Sequence, residues 1–514
     1  MLASTTVLVG IFIYFFAIVF VGFLLRKKNK GAEDFLVGGR SFGVFFNTGT
    51  LVACWLGGSI VIGIPGTLYA CGIWSSEAQW GILPSIGGAG CLIIAGAFYM
   101  RKLWQLKLLS LGDFYYRRFG RNAGIISTIL MALTFTLWIA VQIVAFAKVG
   151  ESLIGLSLNT WIIISMTVIC AYTILGGLWA VCFTDIIQVI IVTLSLFILT
   201  PVAIYLIGGW DVFVETAPVD KLNFMPSGDF TPQNLLPWLA AWIMIGLGSI
   251  ASPDLMQRAF SAKTPRTARR SAYCAAAIYL FIIGIVIVLT FATIQMVNMG
   301  VVDQTIIEND PELMVPMVFV QIMPKPLVIV FIGAVLAASM SAAATANIAL
   351  AGVIAKNLIK DIFMPDMSSQ GLMQTSRVVI LGVGAISAYT CIALPSAYLL
   401  MTLGFDLILS CLFIPLTLGL YWNKANGYGA IAGLLSGAFF RIIVSGIVNG
   451  FTLEGIGSAP DTWFYFTIFG PIVSLVFMVT VSLLTQKIDK PILLELEADP
   501  DDVKAAAVQK AVNE

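Results

Sequence analysis

Two apolar stretches interrupted by glycine and proline decide the fold: LVACWLGGSIVIGIPGTLYACG at residues 51–72 and AAWIMIGLGSIASPD at residues 240–254. Glycine and proline weaken the helical hydrogen-bond ladder. Unwound backbone at membrane depth is tolerated only where it lines a cavity. Paired interrupted helices at corresponding positions of two halves therefore indicate the binding site of a transporter. The alternative is close helix packing through small residues.

The composition is that of a membrane protein. Of the 514 residues, 59% are hydrophobic and 11% charged, whereas soluble domains have about 45–50% apolar and about 25% charged residues. The absence of histidine excludes His-based metal sites and Ser-His-Asp triads. A net charge of +1 predicts no nucleic-acid partner. The eight cysteines lie in or beside apolar runs, which predicts buried thiols without disulfides.

Continuous apolar runs predict an all-α polytopic membrane protein with about thirteen transmembrane helices, since a span needs about 20 apolar residues. The predicted spans cover residues 5–26, 44–70, 76–100, 121–153, 158–178, 184–207, 234–252, 272–298, 326–356, 377–396, 397–421, 428–448 and 462–485. Residues 1–490 would form one membrane domain, followed by a short cytoplasmic tail at residues 491–514.

The distribution of positive charge predicts the orientation. Nearly all of the 28 Lys and Arg residues fall on one side of the membrane when the N-terminus lies outside. Cytoplasmic segments carry the excess of basic residues, so the N-terminus is predicted outside and the C-terminus in the cytoplasm. The two broken spans lie five spans apart, and this odd number places them in opposite orientations in the membrane. We therefore expect two inverted five-helix repeats, about 44–207 and 234–421, with flanking helices 5–26, 428–448 and 462–485.

Four segments resemble the sodium:solute symporter family, in that family's order. They are AEDFLVGGRSFG (32–43), TILGGLWAVCFTDIIQ (173–188), SPDLMQRAFSAKT (252–264) and GAVLAASMSAAATANIALAGVIAKNLIKD (333–361). VACWLGG (52–58) and YGAIAGLLSGAFFRI (428–442) are most similar to its high-affinity choline transporter branch. The resemblance implies a secondary active transporter with alternating access, Na⁺ as the coupling ion, no enzymatic activity and no organic cofactor.

The resemblance also implies a sodium site between the first broken helix and the ninth span. Its ligands would be the carbonyls of Ala53, Leu56 and Ala338 and the hydroxyl of Ser341. Asp185 matches the family's nearby acid in the T-D-x-x-Q motif. A helix N-cap is the alternative role for that aspartate.

The sequence departs from the family beside Ser341, where Ala342 replaces a second Ser or Thr. Thr345 lies one turn further along the same helix face, so its hydroxyl is a candidate replacement ligand. Packing of small residues is the alternative explanation for this segment. Because a ligand is missing, proton-coupled or sodium-independent transport remains the competing prediction.

By resemblance, Trp55 and Trp138 match positions whose aromatic faces form an ammonium cage in the choline branch, and an indole face attracts an ammonium group. Interfacial anchoring or helix packing is the alternative role for each tryptophan. The predicted solute-binding residues are Trp55, Gly57, Gly58, Trp138 and Ser252. By resemblance, Pro84 and Ser252 stand where the choline branch has aromatic residues. The incomplete cage favours a smaller amine, a betaine-like zwitterion or an amino acid over choline.

Ionisable residues within spans are candidates for coupling or structural pairing. Asp406 and Arg441 lie at about 13 Å and 11 Å from the same membrane face at a rise of 1.5 Å per residue, so they are predicted to pair. Asp254 is expected to face the cytoplasmic vestibule near Arg258. The sequence thus predicts a multi-pass plasma-membrane symporter whose partners are a small solute, Na⁺ and the lipid bilayer. A membrane-embedded solute sensor is the alternative of another class, and the oligomeric state stays open.

Overall fold

The computed structural model describes residues 5–75, 81–226, 231–301, 304–395, 397–450 and 463–497. Within these residues the chain is helical, and its one extended pairing is an isolated bridge between Phe42 and Ala262. The principal helices are Thr5–Leu25, Val44–Trp55, Ile64–Cys71, Leu83–Ile94, Leu111–Phe119, Arg121–Ile154, Leu158–Leu206, Pro232–Gly248, Pro253–Ser261, Pro265–Asn298, Met314–Ile322, Lys325–Val353, Ser369–Ala393, Ala397–Leu407, Ile414–Tyr421, Gly427–Phe439 and Trp463–Leu484.

Ten of the described helical segments are long and apolar enough to cross a membrane, and a bent pair raises the number to eleven. The bent pair is the first broken helix, in which Val44–Trp55 and Ile60–Cys71 meet at an angle of 55°. This number is lower than the thirteen predicted spans. Part of the difference lies in the Leu158–Leu206 helix, which counts once but contains two predicted spans.

A single glycine bends this 49-residue helix. At 1.5 Å per residue it would be about 74 Å long if straight, more than twice the ~30 Å hydrocarbon thickness. Gly177 has φ 58° and ψ −156°, outside the helical region. A Cβ atom at this position would lie 2.6 Å from the Phe35 ring, so the bend requires glycine. The predicted five-residue gap between spans at residues 178 and 184 is therefore wrong, because one residue makes the break.

The second broken helix consists of Pro232–Gly248 and Pro253–Ser261. A short 3-10 turn, Ser249–Ala251, ends the first half, and Ser252 has extended backbone angles (φ −85°, ψ 134°). Pro253 then starts the second half at a position where its missing N–H is not needed. Both glycine- and proline-rich stretches of the sequence thus become helix breaks.

Several predicted boundaries and side-chain environments differ from the structure. The predicted 272–298 span begins earlier, at Pro265, because the Thr264 side chain caps the helix by accepting from the Thr267 N–H. Cys274 on this helix is exposed and Cys71 is partly exposed, so not all thiols are buried; all eight cysteines are free. Of the predicted tail, residues 498–514 lie outside the described residues.

Candidate functional site

The break in the first helix redirects the N–H groups that would otherwise donate to two carbonyls predicted to bind sodium. In an unbroken helix the Gly57 N–H would donate to the Ala53 carbonyl and the Ile60 N–H to the Leu56 carbonyl. Here the Gly57 N–H donates to the Trp55 carbonyl (2.9 Å), and the Ile60 N–H donates to the Gly57 carbonyl (3.0 Å). Both rearrangements turn helical N–H donors away from the carbonyls of Ala53 and Leu56. A cation site on this backbone requires carbonyls that such donors do not occupy.

The two glycines of the break bring its backbone against neighbouring helices. A Cβ atom on Gly57 would lie 2.4 Å from the Gln142 Oε1 atom and 3.4 Å from the Ala342 methyl carbon. A Cβ atom on Gly58 would lie 2.1 Å from the Ser339 Oγ atom. Glycine is needed here for close approach. The same contacts show that the Lys325–Val353 helix, which carries Ser339 and Ala342, packs directly on the break.

The hydroxyls predicted to bind sodium converge on one buried carboxylate. Ser341 donates a hydrogen bond to Asp185 Oδ1, and Thr345 Oγ1 lies 3.4 Å from Asp185 Oδ2. All three side chains are buried, as is Ala338 one turn before Ser341. Asp185 lies inside the Leu158–Leu206 helix, eight residues after its bend, so the alternative role as a helix N-cap is wrong.

An arginine that the sequence indicated only as a neighbour of Asp254 completes this cluster. The Nη2 atom of Arg258 lies 3.1 Å from Asp185 Oδ2 and donates to Thr345 Oγ1 at 2.8 Å. Both charged side chains have no solvent exposure. The available signal was the position of Arg258 among apolar residues just after the second helix break.

The two predicted tryptophans line one small cavity. Its volume is only about 10 Å³, and its walls include Trp55, Trp138, Ser252, Asp254 and Phe405. The Trp138 and Phe405 rings lie 4.9 Å apart between centroids. Because Ser252 and Asp254 belong to the second break and Trp55 to the first, both broken helices meet at this cavity.

The position of Asp254 corrects the expectation that it faces the cytoplasmic vestibule. The residue is 5% exposed and lies in the wall of the tryptophan cavity. Its Oδ1 atom accepts a hydrogen bond from the Leu255 N–H at 2.7 Å. The extended backbone at Ser252 changes the direction of the chain, an effect that counting residues along a straight helix does not capture.

Gly58 lies in a different cavity from the tryptophans. This second cavity has a volume of about 80 Å³ and is lined by Gly58, Pro84, Ser85 and Glu312, among other residues. Glu312 lies 3.3 Å from Lys148 Nζ. The predicted solute-binding residues are thus divided: Trp55, Trp138 and Ser252 share one cavity, Gly58 lines another, and Gly57 packs between helices.

Gln142 is a polar residue of the site that the sequence analysis missed. It lies one turn after Trp138 and touches the break at Gly57. Within the described part of the chain, neither amide atom of this buried side chain has a hydrogen-bond partner. Buried amides are normally paired, so Gln142 is a candidate contact for a bound solute or for water. Its isolation in the apolar run AVQIVAF (140–146) was the available signal.

Asp406 and Arg441 form the predicted pair. The Arg441 Nε atom lies 3.4 Å from Asp406 Oδ2, and both side chains are at most 1% exposed. Thr467 Oγ1 donates to Asp406 Oδ1 at 2.6 Å, which ties a third helix to the pair. This pair does not line the tryptophan cavity.

Comparison with known proteins identifies transporters as relatives. The chain is 25% identical over 456 residues to the "High-affinity choline transporter 1" of Caenorhabditis elegans, covering 85% of this chain and 77% of the relative. It is 28% identical over 460 residues to the "Sodium/proline symporter" of Salmonella typhimurium, covering 86% and 88%.

The fold is also that of a solved transporter. A structure of a Na⁺-coupled sialic acid symporter in a substrate-bound outward-open state aligns with a TM-score of 0.79 at 18% identity, over 94% of this chain and 98% of the other. Residues 35–437 match the Sodium:solute symporter family. Together with the membrane-length helices, this match describes a multi-pass protein of the plasma membrane. Since the match covers well over half of its 514 residues, the chain belongs to the sodium:solute symporter family.

Proposed function

We propose that this protein couples downhill Na⁺ entry to the uptake of a small polar organic solute that carries a positively charged nitrogen. The observation that carries the proposal is the tryptophan cavity, in which Trp55 from the first helix break faces Ser252 and Asp254 from the second. Alternating access uses such a site because movement of the two broken helices opens it to one side or the other.

The cavity favours a cationic group on the solute. Trp55 and Trp138 offer ring faces, and a desolvated ammonium over an indole face gains about 2 kcal/mol. Asp254 adds a buried carboxylate to the same wall. The names of the relatives specify choline and proline, which both contain a positively charged nitrogen.

The lining of the cavity argues against choline as the preferred solute. Ser252 supplies no aromatic face, and Pro84 lines the second cavity instead. A compact amine, a betaine-like zwitterion or an amino acid is therefore the proposed solute class.

The sodium site proposed here comprises the carbonyls of Ala53, Leu56 and Ala338 and the hydroxyls of Ser341 and Thr345, with Asp185 as the nearby charge. The diverted N–H donors at the break and the convergence of both hydroxyls on Asp185 support this set. One Na⁺ crossing 100 mV supplies about 2.3 kcal/mol. A tenfold gradient adds about 1.4 kcal/mol, enough together for roughly 500-fold accumulation.

The proposed topology has thirteen spans, an external N-terminus and two inverted five-helix repeats. Ten membrane-length helices and the bent pair give eleven spans. Division of the Leu158–Leu206 helix at Gly177 adds one, and the apolar Thr5–Leu25 helix adds another.

A ligand-stabilisation screen of the purified full-length protein tests the proposal. Thermal unfolding is measured with choline, glycine betaine, proline and small amines, in NaCl and in KCl of equal ionic strength. We expect at least one of these solutes to stabilise the protein more in sodium. The Trp55→Ala variant should bind that solute at least tenfold more weakly. Trp210→Ala, which changes an exposed tryptophan outside the cavity, is the control. Unchanged binding by Trp55→Ala contradicts the proposed site.

A further inference from the structure

The guanidinium of Arg258 occupies the oxygen cluster that is proposed to hold sodium. Its Nη2 atom lies 3.1 Å from Asp185 Oδ2 and 2.8 Å from Thr345 Oγ1. Ser341 donates its own hydroxyl to the other oxygen of the carboxylate. Arg258 and Asp185 have no solvent exposure, so each is the charge partner that the other requires in this arrangement.

Sodium and this guanidinium compete for the Thr345 oxygen and for the negative charge of Asp185. A hard cation binds through lone pairs of carboxylate, hydroxyl and carbonyl oxygens. Arginine N–H groups already take lone pairs from Asp185 and Thr345. A second positive charge in this dry cluster would also repel the first. Binding of sodium to Thr345 beside the Asp185 charge therefore requires Arg258 to withdraw.

A second carboxylate lies one helical turn from Arg258. Asp254 precedes it by four residues on the Pro253–Ser261 helix, and side chains at this spacing lie on the same helix face. Asp254 also lines the tryptophan cavity. A guanidinium that leaves Asp185 thus has a buried partner within reach, and its arrival there would alter the charge of the solute cavity.

We propose that Arg258 is a tethered cation that alternates with Na⁺ at Asp185 and pairs with Asp254 when sodium is bound. The inference rests on the proposed sodium site and adds a competitor to it. In the absence of sodium the guanidinium neutralises Asp185 and holds the helices together. When sodium binds, the positive charge of Arg258 moves toward the solute cavity. Arg258 is accordingly a positioning residue that links ion binding to the solute site.

The test measures sodium binding directly, without solute. Full-length protein and an Arg258→Gln variant are titrated with NaCl at constant ionic strength, and the thermal unfolding midpoint is recorded. Removal of the competing cation should lower the sodium concentration for half-maximal stabilisation at least tenfold. Arg377→Gln is the matched control, since that guanidinium donates to the Ile174 carbonyl outside the cluster. An Arg258→Gln titration curve that coincides with wild type overturns the proposal.

A second measurement uses the unaltered protein and does not depend on the variant folding. Hydrogen exchange is followed by mass spectrometry at increasing NaCl. Sodium should change exchange in the 253–261 segment over the same concentrations that protect residues 338–345. Protection of residues 338–345 with no change at 253–261 overturns the proposal.

The outcomes separate this inference from the proposed sodium coupling. A sodium response in wild type with an unchanged midpoint in Arg258→Gln supports coupling and refutes the tethered cation. A response that appears only in Arg258→Gln supports the tethered cation and refutes sodium coupling in wild type. The absence of any sodium response in both proteins refutes both.

Discussion

Loss of either partner of the buried pair Asp406 and Arg441 should destabilise the protein strongly, and a double-mutant cycle measures the interaction between the two side chains. The two side chains are 3.4 Å apart and at most 1% exposed. Two unit charges at about 4 Å attract by about 4 kcal/mol at an effective dielectric constant of 20. Loss of one partner from a buried pair costs about 3–5 kcal/mol, since the other charge stays unpaired. We therefore expect Asp406→Asn and Arg441→Gln each to destabilise the protein by roughly 3–5 kcal/mol.

The double variant shows whether the loss of stability comes from the interaction between the two side chains. Asp406→Asn with Arg441→Gln should be less destabilised than the sum of the single variants, because neither change then leaves a charge behind. Unfolding is followed by denaturant titration in detergent micelles. Exchange of the two residues, Asp406→Arg with Arg441→Asp, should recover part of the loss. Additive single effects would show that the two residues do not interact energetically.

Further predictions concern the sodium site and the first helix break. Ala342→Ser should raise sodium affinity in a binding titration, since its hydroxyl would lie beside Ser341 and face Gly57; equal or weaker affinity contradicts the proposed ligand set. Ser341→Ala should abolish the dependence of uptake on sodium while solute binding to the purified protein persists; retained dependence excludes that hydroxyl as a ligand. Gly58→Ala should destabilise the protein by about 1–3 kcal/mol through overpacking, because the new methyl would lie 2.1 Å from Ser339 Oγ. Ser339→Ala should restore stability in the double variant, and no restoration argues against this contact.

Features that depend on local sequence were predictable. Glycine and proline within apolar runs indicated both helix breaks, because those residues weaken a helix regardless of what the helix packs against. The pairing of Asp406 and Arg441 followed from their similar depths in neighbouring spans. Trp55 and Trp138 were recognised because they match aromatic positions of the choline transporter branch.

Features that depend on helix packing were not predictable from this sequence. The contact of Arg258 with Asp185 joins residues 73 positions apart and requires the packing of two separate helices. Asp254 lines the cavity because the extended backbone at Ser252 changes the direction of the chain. Counting residues along the sequence does not reveal that change of direction. One span of the difference arises because Gly177 bends a helix within one residue, and a glycine in an apolar run resembles an ordinary packing glycine.

Uptake into proteoliposomes tests the central claim most directly. Purified protein is reconstituted, and accumulation of the solute that stabilises it best is measured under separately imposed sodium and proton gradients. The account predicts concentrative uptake with an inward sodium gradient, and loss of that accumulation when potassium replaces sodium. Full accumulation without sodium, driven by an inward proton gradient, would contradict it.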